Sequence, residues 1–322
     1  MIKFIKKKYN LLSVIFSILF IYGLFLIIKD IDLIIDEINQ IEIHVFFLAS
    51  IIYFLSVILR FIRWKIIYLE LFGNYRFNIL KETIIGYMAN NLFPFRLGEF
   101  YRVKRITDYE KVNFVKVLST IFVERFTDVL ALLLLLIISL PFVNLKLKYV
   151  EINHQTLILY LAVILFLLLL SLFLYLSNIN LIKNIRYKIF NIIFSLLEFF
   201  LEKRKPYLYL KIFTLSILIW FVEALVYFYI AKQFTLNIDN TNLFFIIIIV
   251  CSITNLSGII PSLPANIGNF EFFGTLTFLV LGIDSLIGAS IIITVHLVLF
   301  IPITLIGLIM LVTEKFKLYI NQ

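Results

Sequence analysis

Thiol and metal chemistry have almost nothing to work with in this chain. Its one cysteine, Cys251, lies in an apolar run, which excludes an internal disulfide and a cysteine-based metal site. The three histidines, His44, His154 and His296, are far apart and show no HxxxH spacing, so no metal and no cofactor are expected. There is no glycine-lysine Walker A element, so ATP is not expected to serve this chain alone. Charge is scarce, at 15% of residues. The net charge of +9 comes without a zinc finger, an aromatic-basic RNA motif or a soluble segment to hold one, so nucleic acid is not an expected partner.

Apolar residues are abundant instead. They make up 62% of the chain, aromatics 17%, and the mean hydropathy is +1.06, which places the chain among integral membrane proteins. The runs of Leu, Ile, Val and Phe are near-continuous rather than alternating, so helices are the spanning elements. The fold class is an all-α polytopic membrane protein with about eight hydrophobic segments.

Residues 1–10 form a lysine-rich tail, and residues 11–28 a span whose exit, Ile27-Ile28-Lys29-Asp30, has no small-residue cleavage site. The isoleucines 31, 34, 35, 38 and 41 recur at helical spacing and predict a surface amphipathic helix. Residues 44–64 return across the membrane. Residues 79–95 are interrupted by Lys81, Glu82, Asn90, Asn91 and Pro94 and are followed by a basic stretch. They must enter and leave on one side, as a re-entrant pair. Spans follow at 117–140, 156–177 and 212–231, with an amphipathic inner-surface segment at 178–211. Residues 243–260 and 272–282 flank a second broken stretch, with Asn255, Gly258, Pro261, Pro264 and Gly268, read as a re-entrant pair from the opposite face. Residues 285–312 span once more before the tail at 313–322. The chain 1–322 therefore reads as one membrane domain of six full spans and two re-entrant pairs in an inverted-repeat-like arrangement, with both termini cytoplasmic. Most of the 29 lysines and arginines fall on the inner side of this path; Lys29, Lys146, Lys148 and Lys232 fall outside, and Arg60 and Arg125 within spans.

Charges at membrane depth are the candidate functional groups, since each costs about 2.5 to 3.5 kcal/mol on insertion scales. Glu124, Arg125, Asp128 and Glu223 must pair or line a wet cavity. Arg125 and Asp128 share one helical face, and a structural ion pair that locks helices is the plain alternative. If residues 96–102 are helical, Arg96, Glu99 and Arg102 share about a third of the circumference. Two planar guanidiniums there suit a phosphate, although either alone also fits a positive-inside anchor. Asn90, Asn91, Pro94 and Gly98 shape the first break; Pro261, Pro264 and Gly268 shape the second, which ends at Glu271 and from composition alone also fits a surface loop. The histidines and Trp220 fit core or interface positions, and Cys251 a small buried hydrophobe.

The stretch Pro94-Phe95-Arg96-Leu97-Gly98-Glu99-Phe100-Tyr101-Arg102 resembles the P-x-R-x-G-E-x-x-R element of the lysylphosphatidylglycerol synthase transmembrane-region family, also called flippase-like. Glu124-Arg125-Phe126-Thr127-Asp128 is similar to its E-R-x-x-D element. Residues 264–271 are similar to P-G-G-x-G-x-x-E, with Ala265 and Asn266 where glycines are usual. The resemblance runs from about residue 10 to 313. It implies a domain that moves lipids between leaflets, here an anionic or phosphate-linked lipid such as an aminoacylated phospholipid or a polyprenyl-phosphate-linked sugar. In that reading Arg96, Arg102 and Arg125 meet phosphate, Glu99, Glu124, Asp128 and Glu223 balance them, and Glu271 acts near the outer mouth. The chain ends at Gln322, soon after its last span, so no soluble aminoacyltransferase domain is expected. Two alternatives stay open: a polyprenyl-phosphate-dependent glycosyltransferase with a base among Asp30, Asp32, Asp36 and Glu37, and a non-transporting subunit of a separately encoded synthase or glycosyltransferase.

Overall fold

A computed structural model describes residues 2–28, 30–143, 199, 206–236 and 238–320. These form ten α-helices and, among the described residues, no strand: α1 (Ile2–Ile27), α2 (Ile31–Asn39), α3 (Ile43–Phe72), α4 (Ile79–Leu92), α5 (Leu97–Glu110), α6 (Phe114–Ser139), α7 (Pro206–Ala231), α8 (Asn240–Leu256), α9 (Asn269–Val280) and α10 (Ser285–Ile320). The expected span at 156–177 and nearly all of the amphipathic segment at 178–211 lie outside the described residues.

Among the described residues, four helical stretches are long and apolar enough to cross a membrane: Ile43–Phe72, Pro206–Ala231, Asn240–Ile259 and Ser285–Glu314. Val14–Ile27 of α1 and α2, bent by 85° to each other, make a fifth if the two count as one broken span. The α6 helix has the length, 26 residues, but Glu124, Arg125 and Asp128 leave it too charged to count as apolar. The segment read as the first limb of the second re-entrant pair is a 20-residue stretch, about 30 Å at the helical rise. The 14-residue α4 and α5, about 21 Å each, and the 12-residue α9, about 18 Å, are too short to cross singly.

The pair α3 and α7 forms the central seam. On α3 the buried residues Ala49, Tyr53, Ser56, Arg60, Arg63 and Ile67 recur at alternating steps of four and three. On α7, Ile212, Ser216, Ile219, Glu223, Val226 and Ile230 do the same. Each stripe stays on one side of its helix and faces the other. The large apolar core extends from this seam through Leu136 on α6, Ile247 on α8, Phe278 on α9 and Val295 on α10. The expected surface helix is present as α2, with Ile34 buried against Ala289 of α10.

Local chemistry sets the two breaks. Asn78 caps α4, its side chain accepting from the Lys81 amide, and Pro94 opens a 3-10 turn, Pro94–Arg96, that separates α4 from α5. Arg96 has φ 54°, left-handed, so α5 starts only at Leu97. The hairpin closes tightly because Gly98 lies on Ala89 and Asn90; a Cβ there would sit 2.5 Å from the Ala89 carbonyl carbon. The second break runs from the turn Ser257–Ile259 to the turn Pro264–Asn266, where Ala265 and Asn266 have φ 58° and 62°. The tips of the two breaks pack on each other. The Leu263 amide donates to the Ser17 hydroxyl at 2.8 Å, so α1 braces the second one.

Candidate functional site

Packing the α3–α7 seam against α6 brings a chain of charges into the interior. Arg60 donates to Glu223 at 2.6 Å and to Ser56 at 2.6 Å, with its guanidinium 4.9 Å from the Trp220 ring. One turn along, Arg63 donates to Asp128 at 2.6 Å and Ser216 at 2.7 Å and lies 3.6 Å from Glu124. Trp220 adds an indole N–H to Asp128 at 3.0 Å. Arg102 donates to Glu124 at 2.5 Å and stacks 4.0 Å above Trp64, whose own N–H goes to Thr120. Arg63, Arg102 and Glu124 are buried, so these bonds satisfy charges that would otherwise be prohibitively desolvated.

The next layer holds two adjoining cavities. A cavity of about 280 Å³ is lined by Arg96, Glu99, Arg125, Asp128, Asn255 and Asn266, among others. A second, of about 140 Å³, shares Arg96, Glu99, Arg125, Trp220, Asn255 and Asn266 and adds Tyr53, Arg60, Tyr87 and Glu223. Arg125 reaches Asp128 at 3.2 Å, the pairing expected from their spacing, and stands 3.5 Å from Glu99, too far for a hydrogen bond. The facing atoms, Arg125 Nε and Glu99 Oε1, are buried without a hydrogen-bond partner among the described residues. Arg96 makes no side-chain hydrogen bond or ion pair among the described residues. Its guanidinium lies against Gly258, where a Cβ would collide with it and approach the Asn266 amide nitrogen at 2.9 Å. The first break thus presents a cation directly to the second.

The backbone places the expected site residues differently from an unbroken helix. Because Arg96 is left-handed and precedes α5, it leaves the face shared by Glu99 and Arg102. Arg96 turns to the cavity, while Arg102 turns to Trp64 and reaches only a void of about 10 Å³. Glu99 faces Arg125. Glu124 is bound up with Arg102. Asn90 accepts from the Glu99 amide, and Asn91 donates to Thr304, tying α4 to α5 and α10. Pro261 lines the larger cavity, and Gly268, at φ 92°, precedes α9.

Glu271 is apart from this cluster. It lies 2.5 Å from His296 of α10, whose other ring nitrogen is 2.9 Å from the Ala265 carbonyl, and the two line a cavity of about 310 Å³. At the far end of α10, Glu314 joins Lys81 at 2.7 Å, Arg105 at 2.8 Å and Tyr109. The hydrogen bond to Glu314 pushes the Tyr109 phenol up to about 12, so it stays a donor.

Arg63, paired with Asp128, and His296, paired with Glu271, are not among the site residues expected from the sequence. The stepped stripe on α3 runs on past Trp64 to Ile67, and that continuation was the available signal for Arg63. Nothing local marks His296, whose partner is 25 residues away.

No curated protein sequence matches this one. The profile described as the lysylphosphatidylglycerol synthase TM region matches residues 10–307, which include every helix of the charged core and both broken segments. The protein is a multi-pass membrane protein that belongs to the lysylphosphatidylglycerol synthase TM region (flippase-like) family.

Proposed function

We propose that the protein translocates a lipid with an anionic or phosphate-linked headgroup, such as an aminoacylated phospholipid or a polyprenyl-phosphate-linked sugar. One observation carries this: Arg96 lacks a carboxylate partner among the described residues at a cavity where two backbone breaks meet. Around it, Arg60, Arg63, Arg102 and Arg125 face Glu99, Glu124, Asp128 and Glu223, so the cluster of five guanidiniums and four carboxylates keeps one positive charge. A half-buried guanidinium of that kind is stabilised by an anion, and its planar fork suits phosphate. Arg96 and Arg125 bind the headgroup, with Glu99 and Asp128 orienting Arg125. Arg102 and Glu124 hold the helices that carry the site.

In this reading the α4–α5 hairpin is re-entrant, α9 is the short limb of the second break, and six full spans surround them with both termini cytoplasmic. The irregular backbone lines a cavity, as lipid requires. A separately encoded synthase or glycosyltransferase supplies the lipid. The glycosyltransferase alternative draws no support from α2: Asp32 and Asp36 are exposed, and Asp30 accepts from the Asp32 amide as its helix cap. The test is exposure of fluorescent anionic lipid in reconstituted vesicles. Arg96→Ala is expected to lose it, and wild-type movement by that variant overturns the assignment.

A further inference from the structure

The Glu271–His296 pair does none of the work assigned so far, and its hydrogen bonds fix how many protons it holds. His296 Nε2 lies 2.9 Å from the Ala265 carbonyl oxygen. A carbonyl only accepts, so Nε2 carries a proton. His296 Nδ1 lies 2.5 Å from Glu271 Oε1, and the other carboxyl oxygen accepts from the Gly268 amide at 2.8 Å. The short Nδ1 contact contains one further proton, on the ring beside a carboxylate or on the acid beside a neutral ring. Either way the pair binds one proton more than a neutral imidazole next to a carboxylate.

Removing that proton breaks a contact. A neutral ring donating to Ala265 turns a lone pair on the Glu271 carboxylate; a neutral ring donating to Glu271 turns a lone pair on the Ala265 carbonyl. The affected segment, Pro264–Asn266, is the left-handed turn packed on Pro94–Arg96 at the headgroup cavity. The pair is only 13% and 16% exposed and borders the cavity of about 310 Å³. From this we infer that Glu271 and His296 form a proton-binding site that couples proton movement to lipid translocation, an inference that rests on the transport reading above.

The sign of the coupling follows from charge. With its proton the pair is neutral; without it the pair adds a negative charge beside the cavity. The other charged groups there are Arg60 with Glu223 across the α3–α7 seam, and Arg96, Glu99 and Arg125; the phenols of Tyr53 and Tyr87 complete the titratable lining. A negative charge at Glu271 and His296 repels an anionic headgroup held by Arg96 and Arg125. Proton and anion therefore favour each other's binding, by the same factor in both directions. The two move together.

The experiment uses the full chain in vesicles of phosphatidylcholine and phosphatidylglycerol, with a tail-labelled phosphatidylglycerol and an enclosed pH dye. With one proton per lipid, the steady-state ratio of labelled lipid between leaflets shifts about tenfold per pH unit of imposed gradient, and the dye registers accompanying proton movement. Glu271→Gln and His296→Gln lose the response to the gradient. Lipid movement by the wild type that ignores the gradient overturns the coupling and leaves the transport reading standing. No movement of the labelled lipid overturns both. Independently of transport and of how the variants fold, nitrogen-15 NMR of histidine-labelled wild type follows the His296 ring. A pH-dependent change in the His296 ring-nitrogen shifts over the folded range, from loss of a ring proton or of the proton donated to Nδ1, supports the proton site, and shifts that never change overturn it.

Discussion

Arg60 on α3 donates a hydrogen bond of 2.6 Å to Glu223 on α7, across 163 residues of sequence and within the buried seam. The two charges satisfy each other, so removing one leaves the other desolvated without a partner. Arg60→Met and Glu223→Gln are each expected to destabilise by about 3 to 5 kcal/mol. The double variant should lose less than the sum. Thermal unfolding of the detergent-purified protein measures the cycle, and strict additivity contradicts a coupled pair.

Arg96 and Arg102, six residues apart, are expected to behave oppositely. Arg102 is buried between Glu124 and Trp64, so Arg102→Ala should cost about 3 to 5 kcal/mol of stability. Arg96→Ala should change stability by only about 0.5 kcal/mol, since it removes no bond among the described residues, and should abolish lipid movement. Equal loss of stability in the two variants would reject this division.

The left-handed turn at Ala265 supplies a third expectation. An alanine at φ 58° carries a steric cost that glycine does not, about 1 kcal/mol. Ala265→Gly should raise the unfolding midpoint. Ala265→Val should lower it, because a branched side chain tolerates that backbone less well.

Gly98→Ala tests the first break. The added methyl group meets the Ala89 and Asn90 backbone, which cannot rotate away as a side chain would. Forcing α4 and α5 apart should cost about 1 to 3 kcal/mol and displace the tip that carries Arg96. A fall in anionic lipid movement larger than the loss of folded protein is the expected signature.

Much of this was legible in the chain. Apolar runs located α3, α7 and α10, the isoleucine spacing located α2, and the proline and glycine clusters marked both breaks where they occur. The motif at residues 94–102 marks the α4–α5 hairpin, but the helical face expected to carry Arg96 with Glu99 and Arg102 does not extend to Arg96. The reason is a single backbone angle: a left-handed Arg96 ends the periodicity that would have put it beside Arg102. At residues 265 and 266, where the resembled element has glycines, the backbone has positive φ with non-glycine residues in it.

By itself the sequence determined that this is a helical membrane protein with charges at depth and two backbone breaks, because hydropathy and backbone preference are local properties. Tertiary structure alone decided which charges are paired. Arg63 with Asp128, Arg60 with Glu223 and Glu271 with His296 each join different helices, and a pair across helices is set by how they pack. The same packing left Arg96 at the cavity without a carboxylate partner among the described residues, because its left-handed backbone turns it away from the paired charges.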